Sequence, residues 1–365
     1  MRLRTTSVVA ATLLIAIAAT ACGTSKAPNS ASSTPYSLTV GVPWSDPPLL
    51  LMVENEAQRL GYFAKNGLKV TFVSVTTSAG PLQLLEGHQI DLADGIFSPD
   101  AMTAWAAGAT DIRYVGGYLA RNALLDTYAA SKSINKPADL KGKTIAVGSE
   151  PNPSNPEYAD FEALLKSAGL TDNDVHFAVT GTINQTVPAL LAGRVDIAEI
   201  DLDDVPFVQA DPKLQMVRMI PPGKYEAWGY TATALTRKDV LANKTKNTAI
   251  QLYMKTIIQL TRAYVASEPL TLASIEHLDP TVKGKSAAYK KTFWKALVGE
   301  WAQNGMMNLP SIQDYLTKGF YPLNPKSGKI PVKTFASPSI VKGILAQIGT
   351  KPTRYTYDVP HYTLP

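Results

Sequence analysis

A chain of 365 residues is long enough to bury a large core and to divide into two domains. Its 45% hydrophobic and 18% charged residues are ordinary for a soluble globular protein. The net charge is +5, and loss of Arg2 and Arg4 with an N-terminal leader would leave +3. Lys and Arg are scattered, with no basic stripe of the kind that marks a nucleic-acid partner.

Residues 1–21 read as a secretory signal peptide. Arg2 and Arg4 form a positive start, Val8 to Ala19 an apolar run too short for a membrane span, and Ala19-Thr20-Ala21 a small-residue cleavage site. Cys22, the one cysteine of the chain, follows at once, so an intramolecular disulfide is impossible. Residues 22–35 read as this cysteine and a flexible Ser/Thr/Ala/Pro/Asn tether.

Tyr36 to Val42 alternates as a first strand, and Leu49 to Tyr62 reads as a helix with an irregular end over Gly61 to Gly67. Leu68 to Val75, Ile90 to Ala93 and Ile112 to Leu119 are further strands, with helices opening at Pro81 and Ser98 between them. This β-α alternation predicts a parallel sheet flanked by helices. Trp105, inside a helix, is assigned to core. Leu124 to Ala130 reads as a crossing strand. Lys143 to Val147 then starts a second sheet, continued by Val175 to Val179, Val195 to Ile200 and Leu214 to Ile220. Between them, Asn155, Pro156 and Gly169 bracket a helix as cap, first residue and terminator. Tyr225 to Leu235 looks like a strand returning to the first lobe. Helical patterns follow over Asp239–Ser267, Leu270–Glu276, Ser286–Asn304 and Pro338–Ile348. The expected division is lobe 1 from 36–128 and 226–365, and lobe 2 from 129–225. The tail 320–365 carries no functional reading.

One pattern occurs twice. Pro81-Leu-Gln-Leu-Leu-Glu-Gly87-His-Gln-Ile-Asp91-Leu-Ala-Asp94 is echoed by Pro188-Ala-Leu-Leu-Ala-Gly193-Arg-Val-Asp196-Ile-Ala-Glu199. In each, Pro opens a short helix, Gly closes it in the left-handed conformation, and a buried strand follows. The copies lie roughly 105 residues apart, about one domain length, which predicts two α/β lobes of similar design.

The leader, the Cys22 tether, Gly61-Tyr-Phe63 before Gly67-Leu-Lys-Val70, and Asp139-Leu-Lys-Gly-Lys-Thr-Ile-Ala-Val147 carry a family resemblance. With the repeated Leu-Leu-x-Gly-x-Val-Asp joint, they make the chain resemble the solute-binding lipoproteins of ABC importers over about residues 36–305. The subgroup it is most similar to binds nitrate, alkanesulfonates, taurine or pyrimidine precursors of thiamine. The resemblance implies a periplasmic binding protein type II-like α/β fold, two lobes closing on a ligand across a two-segment hinge, and ABC permease subunits as partners. Cys22 would carry lipid, although Ala19 stands where the lipoprotein motif usually has Leu. The protein would then be a monomer held by a lipid anchor on the outer face of the cell membrane.

In open parallel sheets, ligands sit beyond the carboxyl ends of the strands. That rule selects Trp44, Asp46, Ser78, Gly80, Asp94, Phe97, Tyr118 and Asn122 from the first lobe. It selects Asn155, Thr182, Asn184, Glu199 and Asp201 from the second, and the return strand adds Trp228 and Tyr230. Helix starts at Ser78–Gly80 and Thr182–Asn184 could seat an anion, though Ser and Asn there also serve as caps for their own helices. Asp46, Asp94, Glu199 and Asp201 repel an anion and favour an amine or a protonatable ring nitrogen. The aromatics can stack a planar ring or cage a cation. The favoured ligand is therefore a small planar, nitrogen-containing molecule of the thiamine-pyrimidine type, with a cationic amine next and an alkanesulfonate, taurine or nitrate as the alternative.

No enzyme chemistry is expected. The family resembled also contains a pyrimidine-forming enzyme with a Cys-rich site and an iron-binding His. Here the cysteine lies in the export segment, and His88, His176, His277 and His361 lack metal-type spacing. There is no nucleophile elbow, P-loop or His-Glu-x-x-His. No cofactor and no metal are expected; a secreted sensor or enzyme on the same fold is the other reading.

Overall fold

The computed structural model describes residues 35–43, 51–75, 77, 79–119, 127–152, 155–181, 185–200, 204–219, 232–299, 301–307, 309 and 330–348. The leader, Cys22 and the tether lie outside them, as do Trp44, Asp46, Ser78, Asn122, Thr182, Asn184, Asp201, Trp228 and Tyr230; of Phe97 the backbone alone is described.

The first sheet is built from β1 (Tyr36–Pro43), β2 (Leu68–Val75), β3 (Leu92–Phe97) and β4 (Ile112–Gly116). Helices α1 (Met52–Arg59), α2 (Tyr62–Lys65), α3 (Gly80–Glu86) and α4 (Ser98–Ala107) alternate with them. The chain then forms β5 (Thr127–Ser131), β6 (Thr144–Val147), α5 (Pro156–Ser167), β7 (His176–Val179), α6 (Thr186–Leu191), β8 (Ile197–Glu199), α7 (Val205–Ala210) and β9 (Leu214–Arg218). It returns through β10 (Ala232–Arg237) to α8 (Lys238–Ala242), α9 (Lys244–Ala266), α10 (Glu268–Leu278) and α11 (Ala287–Gly299). The last described helices are α12 (Val332–Phe335) and α13 (Pro338–Gln347).

The sheets run β2-β1-β3-β10-β4 and β7-β6-β8-β5-β9. They are the same sheet twice, with β6, β7, β8 and β9 in the places of β1, β2, β3 and β4. The expectation of wholly parallel sheets is corrected: β10 runs antiparallel to β3 and β4, and β5 antiparallel to β8 and β9. In each sheet the reversed strand is the one that arrives from the other lobe. Its direction is set by where the chain comes from, which strand propensity cannot reveal.

The repeated joint has one physical basis in both lobes. Asp91 Oδ2 accepts from Thr39 N within β1 (2.9 Å), and Asp196 Oδ2 accepts from Thr144 N at the start of β6 (2.9 Å). The backbone answers: Asp91 N donates to Thr39 O and Asp196 N to Thr144 O. Each aspartate thus ties the entry of its strand to the neighbouring strand, 52 residues back in both cases. The register repeats with it, Val40 beside Leu92 and Ile145 beside Ile197. One detail differs from expectation. Gly193 takes the left-handed turn (φ 69°), but in the first copy Gly87 stays at φ −76° and His88 adopts φ 57°. That copy holds one more residue between Gly and Asp, so the reversal moves one position along.

Both sheets are covered on two faces. In the first lobe Leu38, Val40 and Val42 pack with Met52, Phe63, Tyr253 and Ile257 under α1, α2 and α9, while Leu82, Ile96, Met102 and Tyr114 form the opposite layer. Each such side chain contributes about 1.5–3 kcal/mol on burial. Gly41 lets α3 approach closely, because a Cβ there would lie 2.5 Å from Ile90 Cδ1 and 3.3 Å from Pro81 Cβ. In the second lobe Tyr128, Ile145 and Phe161 pack under α5, and Val187, Leu190 and Val208 under α6 and α7. Trp105 packs against the layer of Tyr114 and Phe335, as expected of a core residue.

The long helix expected over 239–267 breaks at Asn243, whose side chain accepts from Lys246 N and so caps a new helix. Within α9, buried Ile250, Tyr253, Met254, Ile257, Leu260, Thr261 and Tyr264 follow a three- and four-residue spacing and form one stripe. The segment 61–67, expected to be irregular, contains the turn of helix α2. The C-terminal helices pack on the first sheet, with the Phe335 ring against Tyr114 and Ala336 bridged to Tyr114. Away from the covalent crossings, Lys285 Nζ lies 5.7 Å from the Tyr289 ring centroid in α11 and 5.8 Å from that of Phe207 in α7. Among the described residues, no helix is long and apolar enough to cross a membrane.

Candidate functional site

The parallel strands of each sheet end at one edge, β1 at Pro43 and β3 at Phe97 in the first lobe, β6 at Val147 and β8 at Glu199 in the second. Helix starts gather at the same edges, because each strand there feeds the next helix.

In the first lobe Asp94, third in β3, points under α1 and α9. Its Oδ1 accepts from Gly95 N (2.8 Å) and its Oδ2 from the Tyr253 hydroxyl (2.6 Å). Beside it stands Glu54, in the first turn of α1, whose Oε2 accepts from the Tyr118 hydroxyl (2.8 Å). Asp94 and Tyr118 are each 4% exposed and Glu54 1%. Two of the expected site residues are therefore brought together, joined by Glu54 and Tyr253. Burial, then the nearby Asp94 charge, holds the Glu54 carboxyl well above the usual range. Burial raises Asp94 as well, against the pull of Tyr253, Gly95 and Glu54. Two such carboxyls without a cation share a proton.

Asp100, in the first turn of α4, is pushed up to about 7 by burial, and its Oδ2 has no hydrogen-bond partner. Gly80 is the first residue of α3, buried against Val75. Asp94 within β3 and Tyr118 just after β4 are thus joined through Glu54, and Asp100 stands by itself in the first turn of the helix that follows β3.

In the second lobe Glu199 ends β8, half-buried and engaged in polar interaction. Asn155 is buried and serves the loop before α5. Its Oδ1 accepts from Tyr158 N (3.3 Å), and its Nδ2 donates to Ser149 O (3.1 Å) and Ser149 Oγ (3.1 Å). Next to it Glu157, in the first turn of α5, turns back to the end of β6, where its Oε2 accepts from Gly148 N (2.7 Å). Burial pushes this carboxyl up to about 7, against the Gly148 hydrogen bond.

Glu54, Tyr253, Asp100 and Glu157 were not singled out in the sequence. Their signal was present: Leu51-Met-Val-Glu54-Asn-Glu56-Ala sets two acids in an apolar helix start, and Glu157 and Asp100 follow helix-opening prolines. Among the described residues, Asp94, Asp100 and Glu157 form no ion pair, and no group of three His, Cys, Asp or Glu could hold a metal ion. An acid-lined, cation-poor edge suits a ligand that offers N–H donors.

Residues 55–255 match the family model described as NMT1/THI5 like. A protein of Haemophilus influenzae described as a putative thiamine biosynthesis protein is 32% identical over 142 residues, which cover 38% of this chain and 42% of that relative. The match therefore spans less than half of the relative's length. A Candida albicans gene product described as exhibiting the generic periplasmic binding protein fold superposes with a TM-score of 0.53 at 17% identity, covering 87% of this chain and 96% of that one. The alkanesulfonate-binding protein of Xanthomonas axonopodis pv. citri, solved with MOPS, gives 0.54 at 20% identity over 73% of this chain and 85% of its own. The architecture, two lobes each with a mixed sheet, is that of the periplasmic binding proteins.

Proposed function

The chain belongs to the NMT1/THI5-like family, and from that premise we propose that it is an extracytoplasmic solute-binding protein of an ABC importer, favouring a small planar, nitrogen-containing ligand of the thiamine-pyrimidine type. The observation that carries the ligand class is the set of buried acids Asp94, within β3, and Asp100 and Glu157, in the first turns of α4 and α5, none of them ion-paired among the described residues. An amino or ring N–H relieves such acids; a sulfonate or nitrate would add to their repulsion. Closure of two lobes on the ligand gives a permease a way to distinguish loaded from empty protein. Cys22 supplies the lipid anchor, and no catalytic step is assigned.

Lobe 1 is assigned 36–128 and 226–365, and lobe 2 129–225, the crossings near 128 and 226 forming the hinge. Trp44, Phe97, Tyr118, Trp228 and Tyr230 supply the stacking surfaces. Asp46, Ser78, Gly80, Asn122, Asn155, Thr182, Asn184, Glu199 and Asp201 supply polar contacts.

Thermal denaturation against a 4-aminopyrimidine, taurine, an alkanesulfonate and nitrate tests the reading. A ligand held only by the folded state at a hundred times its Kd adds about 2.7 kcal/mol, a measurable rise in Tm. A rise with the aminopyrimidine supports the acid-lined cleft. A rise confined to taurine, sulfonate or nitrate overturns the ligand class and leaves the solute-binding role.

A further inference from the structure

The two lobes repeat each other in register, and the repeat extends to their acids. Asp94 and Glu199 occupy the third position of β3 and of β8. Glu54 and Glu157 occupy the first turn of the helix that follows β1 and β6. The register that sets Ile145 beside Ile197 sets Val147, the residue before Gly148, next to Glu199. Glu157 is bonded to Gly148 N, just past the end of β6, while in the first lobe Glu54 stands beside Asp94.

The copies differ in what covers them. In the first lobe tyrosine hydroxyls reach both acids, Tyr118 to Glu54 Oε2 and Tyr253 to Asp94; Glu54 Oε1 has no hydrogen-bond partner, but Glu54 has the Asp94 carboxyl beside it with which to share a proton. In the second lobe Glu157 receives one backbone amide, and its Oε1 has no hydrogen-bond partner although the residue is only 6% exposed. A buried acceptor without a donor is destabilising, and a hydrogen bond formed away from water is strengthened.

We propose that Glu157 is a ligand-recognising residue of the second lobe, its Oε1 accepting an N–H from the amino or protonated-ring edge of the solute. The inference rests on the nitrogen-rich ligand class proposed above and names the residue that selects it. The ligand supplies to lobe 2 the donor that a tyrosine supplies to lobe 1. The carboxyl stands near 7 for want of that donor, burial outweighing the one amide it has. The ionised carboxylate only accepts, so above pH 7 Glu157 also discriminates against sulfonates.

Fluorescence titration with a 4-aminopyrimidine, on the wild type, Glu157→Gln and Asp196→Asn, decides the matter. Glu157→Gln keeps an acceptor for Gly148 N but presents an amide N–H where the ligand needs an acceptor. Its affinity is expected to fall at least about tenfold, with the melting temperature unchanged or higher. Asp196→Asn, at the strand-entry joint of the same lobe, keeps the acceptor for Thr144 N and is expected to leave affinity within about twofold. If Glu157→Gln folds poorly, Glu157→Asp, which withdraws the oxygen by one methylene, is read in the same way. Wild-type affinity in a folded Glu157 variant overturns this inference and leaves the ligand class standing. A wild type that binds taurine or nitrate but not the aminopyrimidine overturns both.

Discussion

Replacing Glu54 by Gln should make the protein more stable above neutral pH, against the usual expectation for a fully buried residue. The Glu54–Asp94 pair is raised by burial, with no cation beside it. An unfolded Glu releases its proton near 4.3. The folded pair keeps a proton that the unfolded chain has lost, so the pair's stabilisation is complete below that pH and drains away as pH rises towards the folded value. Over that interval one retained proton lowers stability by about 1.4 kcal/mol per pH unit. The side-chain amide of the Glu54→Gln variant cannot ionise. Its carbonyl still accepts from Tyr118, and its N–H can donate to Asp94, which then ionises among three donors. Urea unfolding followed by far-UV circular dichroism at pH 5, 6, 7 and 8 measures the effect. Asp100 and Glu157 add slopes of the same sign, so the informative quantity is the difference between wild type and variant. It should grow with pH in favour of the variant, by up to about 1.4 kcal/mol per unit. Glu54→Ala, which strands the Tyr118 hydroxyl, should instead lose about 1–3 kcal/mol. A Glu54→Gln protein less stable than wild type at pH 8, with an unchanged slope, would mean that no proton is shared and would refute the reasoning.

Three further outcomes are expected. Asp196→Ala removes the acceptor of Thr144 N and should cost about 1–3 kcal/mol in denaturant unfolding; Asp91→Ala should cost up to about 1 kcal/mol more, because Asp91 also holds Lys246 Nζ at 2.7 Å. Gly193→Ala places a Cβ at φ 69° with open space around it, so the loss should be conformational alone, about 1–2 kcal/mol by the same assay. Cys22→Ala should move the protein from the membrane to the soluble fraction of cells; continued membrane association would remove the lipid anchor from the proposal.

The parts of the fold legible in the sequence are those fixed by neighbours along the chain. A reversal near Gly87 or Gly193 and an aspartate opening the next strand are local, so that part of the repeated joint could be read from residue types alone; the proline was a weaker guide, since Pro81 stands at the start of α3 but α6 already begins at Thr186, two residues before Pro188. Asn155 and Gly169 bracketed α5 for the same reason. The reversed strands could not be read, since their direction depends on where the chain crosses between lobes. The acid network was half legible. Asp94 stood out as an acid expected just past a strand, though β3 runs on to Phe97 and holds it mid-strand; its partner Tyr253 lies 159 residues away, hidden in the apolar stripe of α9. Glu54 was masked by the ordinary habit of acids to open helices. Spacing identifies the acids; only packing shows which of them is supplied with donors.

The lysine between Phe207 and Tyr289 bears on how freely the molecule breathes. An exposed contact of this kind is worth about 0.5–1 kcal/mol, little more than thermal agitation. It favours one arrangement of the two halves without locking it. Because Lys285 already rests on Tyr289, a ring of its own lobe, parting from Phe207 leaves the charge still seated. Such a fastener can be undone and remade many times with little penalty, as the proposed capture and release of a solute requires.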